Sequence, residues 1–546
     1  MFYELLRMSA NFFFGFCLVL LVPTAVSFYY EFYGAAEHPQ PHVTLAFLET
    51  IGIVFFLGAI CYYLGKRGKG YFYKREGIAF VVLIWFITPY LGSLPFTLSG
   101  TLNSHLQAYF ESVSGFTTTG STILYPKAYN AEGQETKVQK TIPNVIDTHY
   151  EFYGTVTPVR NQEGEIILEG VEAVPKALLF WRSFMQWLGG GGVVVLFIAI
   201  LPALGVGGKV LYQSEVPGPV KEGISPRIKE TAIQLWKIYL ILTVIQIGAL
   251  FVFDNNLDWL DASTITFSTI STGGFSVNNL SIAGYNSPSV EWIVIIFMVL
   301  GSLNFSLYFY AFRGKLYKLN DPEFLLHILF ILLFAFVISY SILGANEITL
   351  QNKSGGTYST IDALRVGFFQ SVSAQTSTGF TTTNYDYWPF LPQILLLISM
   401  YVGGMSGSTA GGIKTARIFM IFRIAQNKIE SIFRPETLRT LRIGGRDVEP
   451  SAAATTLVFF SIVIAVSTLG VIIYVWDGVD PETSLSLVAC MVNNTGMTFR
   501  AASPVDSCAF LSDIGLWLST ILMLLGRLEY FAVLALLVPA FWKESV

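Results

Sequence analysis

The chain has 546 residues, 53% of them hydrophobic and only 13% charged, with a formal net charge of −4. A soluble domain carries about 25% charged residues, so too little charge is left here for a wetted surface, and a large soluble enzyme is excluded. Nothing in the charge calls for a nucleic acid; the partner that the composition demands is a lipid bilayer.

A bilayer core is crossed by about 20 apolar residues. About ten such stretches run along the chain, near residues 10–30, 43–65, 77–98, 178–204, 231–253, 290–312, 324–344, 392–422, 452–476 and 511–541. The first is too long for a signal-peptide core and lacks a small-residue cleavage site, so it is read as a retained span. Residues 1–75 then form an N-terminal pair of transmembrane helices. Four units follow, at 76–208, 209–315, 316–424 and 425–546. The segments "KRGKGYFYKRE" (66–76) and Arg423 to Arg446 are basic, whereas 254–290 contains no Lys or Arg. Short basic loops stay in the cytoplasm. Both termini are therefore expected inside and the threonine-rich segments are expected to open outward. Cys17 and Cys61 lie in apolar runs, and a membrane-embedded Cys490 argues against a bridge to Cys508, so no disulfide framework is implied.

The four units share a motif. "SVSGFTTTG" (112–120) recurs as "ITFSTISTG" (265–273), "SVSAQTSTG" (371–379) and, more weakly, "VACMVNNTG" (488–496). The glycines that end them are 153, 106 and 117 residues apart, and the longer first interval holds a polar stretch, 125–176, read as an external loop with a small hairpin. In each unit a long span precedes a stretch too short to cross, then the Thr-Gly segment, then another span. Irregular backbone at membrane depth is tolerated only where it lines a cavity or is buried in protein. Four such elements entered from one side predict an all-α integral membrane protein with four helix–pore loop–helix repeats around a pseudo-fourfold pore.

The chemistry of such a pore suits a monovalent cation. Backbone carbonyls replace its lost water, hydroxyls assist, and glycine provides the backbone angles that aim the carbonyls. The expected filter is Thr118, Thr119 and Gly120; Ser271, Thr272 and Gly273; Ser377, Thr378 and Gly379; and Asn494, Thr495 and Gly496. The short helix before each segment should turn its partially negative C-terminus inward. Asp254, Asp258, Asp261, Asp477, Asp480 and Glu482 are either a cation-concentrating outer rim or ordinary solvated loop. "VGGMSGSTAGGIK" (402–414) interrupts a span, with Gly403, Gly404, Ser406, Gly407, Ser408, Gly411 and Gly412 as an intramembrane gate or a plain hairpin. Arg527 falls about 15 residues into the last span, about 22 Å along a helix, where it acts as an electrostatic barrier below the filter or as a buried structural partner. Gly189 to Gly192 read as a close-packing site or a pore hinge, and Arg182 with Glu111 as a brace for the first repeat. The histidines have no metal or catalytic spacing, so no catalytic residue and no enzyme activity are expected.

Beyond the filter segments, "FWRSFMQWLGGGGVVVLFIAILPALGVGG" (180–208), "SEVPGPVKEGISPRIKETA" (214–232), "GSLNFSLYFYAFRGK" (301–315), "GGMSGSTAGGIKTARI" (403–418) and "LLGRLEYF" (524–531) complete a pattern. With the four repeats, it resembles the Trk/Ktr/HKT superfamily of potassium transporters, the TrkH branch above all. The resemblance implies gated potassium uptake, with K+ bound at the filter residues and glycine in all four positions as the potassium pattern. It also implies a homodimer, and TrkA-like cytoplasmic regulatory subunits that carry the nucleotide, with no cofactor bound by this chain. The expected location is the cell inner (plasma) membrane. The alternatives are a cation symport coupled to Na+ or H+, which would need inverted halves, and a less selective K+/Na+ pathway. Met497 and Arg500 depart from the family pattern after the fourth filter, and the 125–176 loop is longer than the family's.

Overall fold

The computed structural model describes residues 2–34, 42–68, 74–142, 147–192, 228–351, 354–433, 442–443, 446–447 and 450–542. Among these, Phe2–Phe32, Val43–Gly65, Arg75–Leu98, Ile233–Phe253, Pro322–Ile342 and Ala453–Trp476 are long and apolar enough to cross a bilayer, and two bent helix pairs raise the number from six to as many as eight. The protein is a multi-pass, all-α membrane protein. The second half of the expected 178–204 span and most of the 214–232 connection lie outside the described residues.

The two N-terminal helices pack on each other where Gly58 meets Phe13 and Phe14. They dock onto the first repeat through Phe16, whose ring lies 6.4 Å from both Phe116 and Trp181. Burial then divides the remaining helices into two kinds. In Ala453–Trp476 only 22% of the most apolar window is buried, and Leu469, Ile472 and Trp476 are exposed. Such an apolar outer face suits hydrocarbon and not water. Four short helices are the opposite: His105–Phe116, Trp259–Ile270, Thr360–Gln375 and Pro481–Asn493 are polar along much of their length yet lie inside the protein. Three of them begin with a side-chain cap, from Asp258, Ser359 and Asp480. They are the half-length helices of the four repeats.

Among the described residues, three expected spans are broken. The stretch 290–312 is two helices, Pro288–Ser302 and Phe305–Phe312, bent by 94°. The bend is held by Asn304, which accepts from Ser306 N, and by a neighbouring loop: Met405 N donates to Ser302 O and Phe305 N to Gly407 O. The stretch 392–422 stops at Val402 and resumes at Thr415. The last, 511–541, bends by 114° just after Arg527, where Glu529 and Tyr530 take left-handed φ angles of 54° and 58°. There Arg417 holds the Glu529 carboxylate at 2.6 Å. Arg527 thus ends a helix and does not sit within one.

The 125–176 segment forms three small antiparallel strand pairs. It bridges two distant repeats. At one end, Tyr150 donates to Asp480 Oδ2 (2.8 Å) and accepts from Asp480 N, with its ring 4.9 Å from that of Phe510. Lys140 pairs with Asp506 and donates to Ala501 O. At the other end, Val171 N and Glu172 bind Asn279 of the second repeat.

Candidate ion pathway

Each short helix ends in the same tight turn. Thr117, Thr118 and Thr119 donate their N–H groups back to Val113, Gly115 and Ser114, and Thr376, Ser377 and Thr378 do the same to Val372, Ala374 and Ser373. The turn requires a left-handed residue at Thr118, Thr272, Ser377 and Asn494, with φ of 55°, 54°, 54° and 51°. For a non-glycine residue this conformation costs about 1–2 kcal/mol, least for Asn. A left-handed glycine follows two residues later: Gly120, Gly274, Gly379 and Gly496, with φ of 85°, 81°, 87° and 78°.

The second repeat therefore differs from the sequence register by one residue. Gly274, and not Gly273, is equivalent to the other three glycines. Gly273 occupies the position of Thr119, Thr378 and Thr495, and its N–H donates to Ser268 O as theirs do to Ser114, Ser373 and Cys490. The string "STGG" offers two glycines, and similarity of letters cannot tell which one has the positive φ.

These glycines close a ring. A Cβ on Gly120 would lie 2.2 Å from Gly273 O, on Gly274 1.9 Å from Thr378 O, on Gly379 2.3 Å from Thr495 O, and on Gly496 2.5 Å from Thr119 O. Each repeat touches the next, and the fourth touches the first. Beside the ring is a cavity of about 320 Å³ lined by all four glycines, with Glu169 and Asp506 on its wall. Burial raises the pKa of Tyr125 in that wall, and the nearby Asp506 and Glu169 carboxylates raise it further. Of the acidic residues expected at the rim, Asp258 and Asp480 cap helices, Asp477 accepts from Ser512, and Glu482 pairs with Arg500. The carboxylates that reach the cavity are others, carried by the insertion and by the outer turn of the fourth repeat.

The departures after the fourth segment are accommodated locally. Met497 is fully buried in a cluster with Ala374, Met400 and Ala489. Arg500 adopts φ 60°, pairs with Glu482, and donates its N–H to Asp386 Oδ1 at 3.0 Å. Tyr385 braces this strand, donating to Thr498 O and accepting from Thr498 N. Cys490 and Cys508 are both free.

The irregular stretch 403–414 lies against the inner end of the short helices. Gly411 N donates to Ser377 Oγ, and a Cβ on Gly411 would be 2.0 Å from Asn493 O. Thr409 Oγ1 lies 3.0 Å from Ile270 O and 3.1 Å from Gly301 O. The loop is held at both ends by one helix: Glu323 Oε1 accepts from Ser406 N (2.6 Å), and His327 contacts Thr415 and Ser302. Gly403, Gly407 and Gly412 have φ of 69°, 75° and 81°, and Gly404 packs on Ala410. Ser408 Oγ donates to Met405 O. Arg527 reaches in from the opposite side, donating to Thr409 O (3.0 Å) and to Gly189 O (2.6 Å). Its guanidinium is engaged by backbone carbonyls and ties the loop to the π-helical turn at 188–192. The expected close packing at Gly189 is present, since a Cβ there would lie 1.9 Å from Phe116 O.

The TrkH family profile, described as a cation transport protein, matches residues 156–543. The chain belongs to the TrkH family. It is 33% identical over 538 residues to the Trk system potassium uptake protein TrkH of Vibrio parahaemolyticus, covering 97% of each chain. It is 29% identical over 531 residues to the Trk system potassium uptake protein TrkG of Escherichia coli, covering 96% of each. The crystal structure of the potassium transporter TrkH from Vibrio parahaemolyticus superposes with a TM-score of 0.78 at 30% identity, over 100% of both chains. As a TrkH-family member this is a transport protein and not an enzyme.

Two supports of the ring involve side chains of the helix Lys176–Trp187, Arg182 and Gln186. Arg182 and Glu111 form the expected pair at 2.7 Å, with side chains 2% and 0% exposed. Glu111 also accepts from Ile123 N and Thr122 Oγ1, and Arg182 donates to Ser276 O and stacks over Phe275 at 4.1 Å. The pair therefore joins the ends of the first two Thr-Gly segments. The second support, Gln186, is fully buried: its Nε2 donates to Gly273 O (2.7 Å) and its Oε1 accepts from Phe275 N (3.0 Å). Sequence reasoning missed it. Its signal was the absence of a side chain at Gly273, where a Cβ would lie 2.5 Å from the Gln186 amide carbon. Removing one member of a buried ion pair costs about 3–5 kcal/mol. Arg182→Ala should therefore lower the thermal unfolding midpoint of the detergent-purified protein markedly, and Arg182→Lys by less; equal midpoints for Arg182→Ala and the wild type would refute the brace.

Proposed function

We propose that this protein takes up potassium across the cell inner (plasma) membrane through a gated, channel-like filter. The observation that carries this reading is the closed ring, in which four left-handed glycines each lie against a carbonyl oxygen of the next repeat. In this reading the four units 76–208, 209–315, 316–424 and 425–546 contribute one filter strand each: Thr118 to Gly120, Ser271 to Gly274, Ser377 to Gly379 and Asn494 to Gly496. Their carbonyls replace water around a K+ ion. The C-terminal ends of the short helices add a partial negative charge below it. Glu169 and Asp506 raise the local cation concentration at the entrance. The matched relatives are named for potassium uptake, which supports K+ as the transported ion.

The gate of this reading is the loop 402–414, seated under the filter by Ser377 and Asn493 and latched by Arg527. Arg527 acts through this latch as well as through its charge. The relatives' naming as parts of a Trk system supports a multi-component assembly. We place a second copy of the chain in a homodimer, with TrkA-like nucleotide-binding subunits on the cytoplasmic side. Nucleotide then resides on those subunits. The basic segments around Lys66 and Arg423 support cytoplasmic termini.

Two experiments in proteoliposomes test the reading. With K+ as the only gradient, the wild-type protein and its cytoplasmic partner should carry flux; an absolute requirement for a Na+ or proton gradient would replace the channel reading by a symporter. In the same assay, Gly120→Ser, Gly274→Ser and Gly379→Ser should each raise sodium permeation relative to potassium, and unchanged ratios in all three would sink the filter assignment.

For the gate, a hydrogen bond to a charged group is worth about 1.5–3 kcal/mol, or roughly a tenfold shift or more in a closed–open equilibrium. Arg527→Ala should raise flux without the cytoplasmic partner by about that factor, counted per folded molecule, and Arg527→Lys by less. A well-folded Arg527→Ala protein with wild-type flux leaves Arg527 as a structural brace alone.

A further inference from the structure

The ring has four strands, but only three carry threonine before the glycine. Thr119 and Thr378 turn their hydroxyls back to Thr117 and Thr376, 2.8 Å away in both cases. Those two strands are thus tied to their own turns. The second strand has Gly273 at this position and no hydroxyl to use. The room is filled from the first repeat by Gln186, whose amide grips the strand at two points, Gly273 O and Phe275 N. The two points flank Gly274, the residue whose Cβ position lies 1.9 Å from Thr378 O.

Gly273 O is no ordinary acceptor. It is the oxygen that faces Gly120, equivalent to Thr378 O facing Gly274, Thr495 O facing Gly379 and Thr119 O facing Gly496. One of the four ring carbonyls therefore shares its lone pairs with a buried amide donor. A carbonyl that already accepts a hydrogen bond presents a weaker field to a cation. A weaker field favours the larger, more easily dehydrated ion, and a strand fixed at two points also resists contraction around a smaller one. Whether cavity size or field strength governs selectivity, both effects act here in the same direction, against sodium.

We propose that Gln186 is a specificity-determining positioning residue, which sets the discrimination between potassium and sodium by tethering the second filter strand through Gly273 O and Phe275 N. The proposal rests on the reading of the ring as a potassium filter. The arrangement also accounts for the doubled glycine: Gly274 for the left-handed turn and the close approach to Thr378, Gly273 for the approach of the amide.

The test measures the sodium-to-potassium permeability ratio of the full-length protein with its cytoplasmic partner, in proteoliposomes. Gln186→Met has similar length, no donor for Gly273 O and no strong acceptor for Phe275 N. It should raise the ratio about threefold to tenfold, the range set by one net hydrogen bond. Gln186→Leu has no donor for Gly273 O, no acceptor for Phe275 N and no ionisable group, and it is no larger than glutamine. It should also raise the ratio, and it decides the matter if the methionine variant folds poorly. A wild-type ratio in a folded variant overturns the proposal. Gly120→Ser and Gly274→Ser, measured alongside, separate the two failures. If they change the ratio and the Gln186 variants do not, only the tether is wrong. If none of them does, the filter reading fails with it.

Discussion

Four glycine–carbonyl contacts define the centre of this molecule, and most of the surrounding structure exists to hold them. Polar backbone cannot lie in hydrocarbon without partners, so each irregular strand is wrapped by the buried end of its own short helix and by spans whose outer faces meet lipid. The left-handed residues before the glycines add strain. That strain is offset by N–H groups returned to the helix end, as in Thr119 N to Ser114 O at 2.9 Å. A single side chain added at a ring glycine meets backbone at about 2 Å, so accommodation has to come from the strands themselves.

Around that centre the four repeats have diverged in their supports. The first two share the Arg182–Glu111 pair and the Gln186 amide, with Arg182 and Gln186 on one helix. The third offers Ser377 to the loop beneath it. The fourth replaces threonine by Asn494, whose amide donates to Thr119 Oγ1 and Met523 O, and it is held by Tyr385 and by Tyr150 of the 125–176 segment. The geometry is close to fourfold while the chemistry is not. A ring written in one chain can be altered one quarter at a time.

Much of this was legible in the sequence. The repeats announced the ring because glycine and threonine recur at the end of a stretch too short to cross, and the Arg182–Glu111 pair was legible because two opposite charges occur in otherwise apolar surroundings. The register of the second strand was not, since Ser271-Thr272-Gly273-Gly274 fits the pattern in two ways and only the backbone angle decides. The bends after Ser302 and Arg527 were hidden for another reason. The apolar run continues through each, and what breaks the helix is a loop or a salt bridge from elsewhere in the chain. Long-range partners of this kind also concealed Gln186, and they put Glu169 and Asp506 on the cavity wall in place of the more conspicuous aspartates of the short outer loops.

The ring is closed by Gly496 against Thr119 O, residues 377 positions apart in the chain. Because the chain is made from its N-terminus, three quarters of the ring residues exist before the last quarter has been made. Until that quarter arrives, Thr119 O and Gly379 lack the neighbours they meet in the finished protein. Tyr150 of the 125–176 segment likewise waits for Asp480 of the fourth repeat. The last repeat is thus a keystone: the ring of glycine–carbonyl contacts closes only when the fourth repeat is in place.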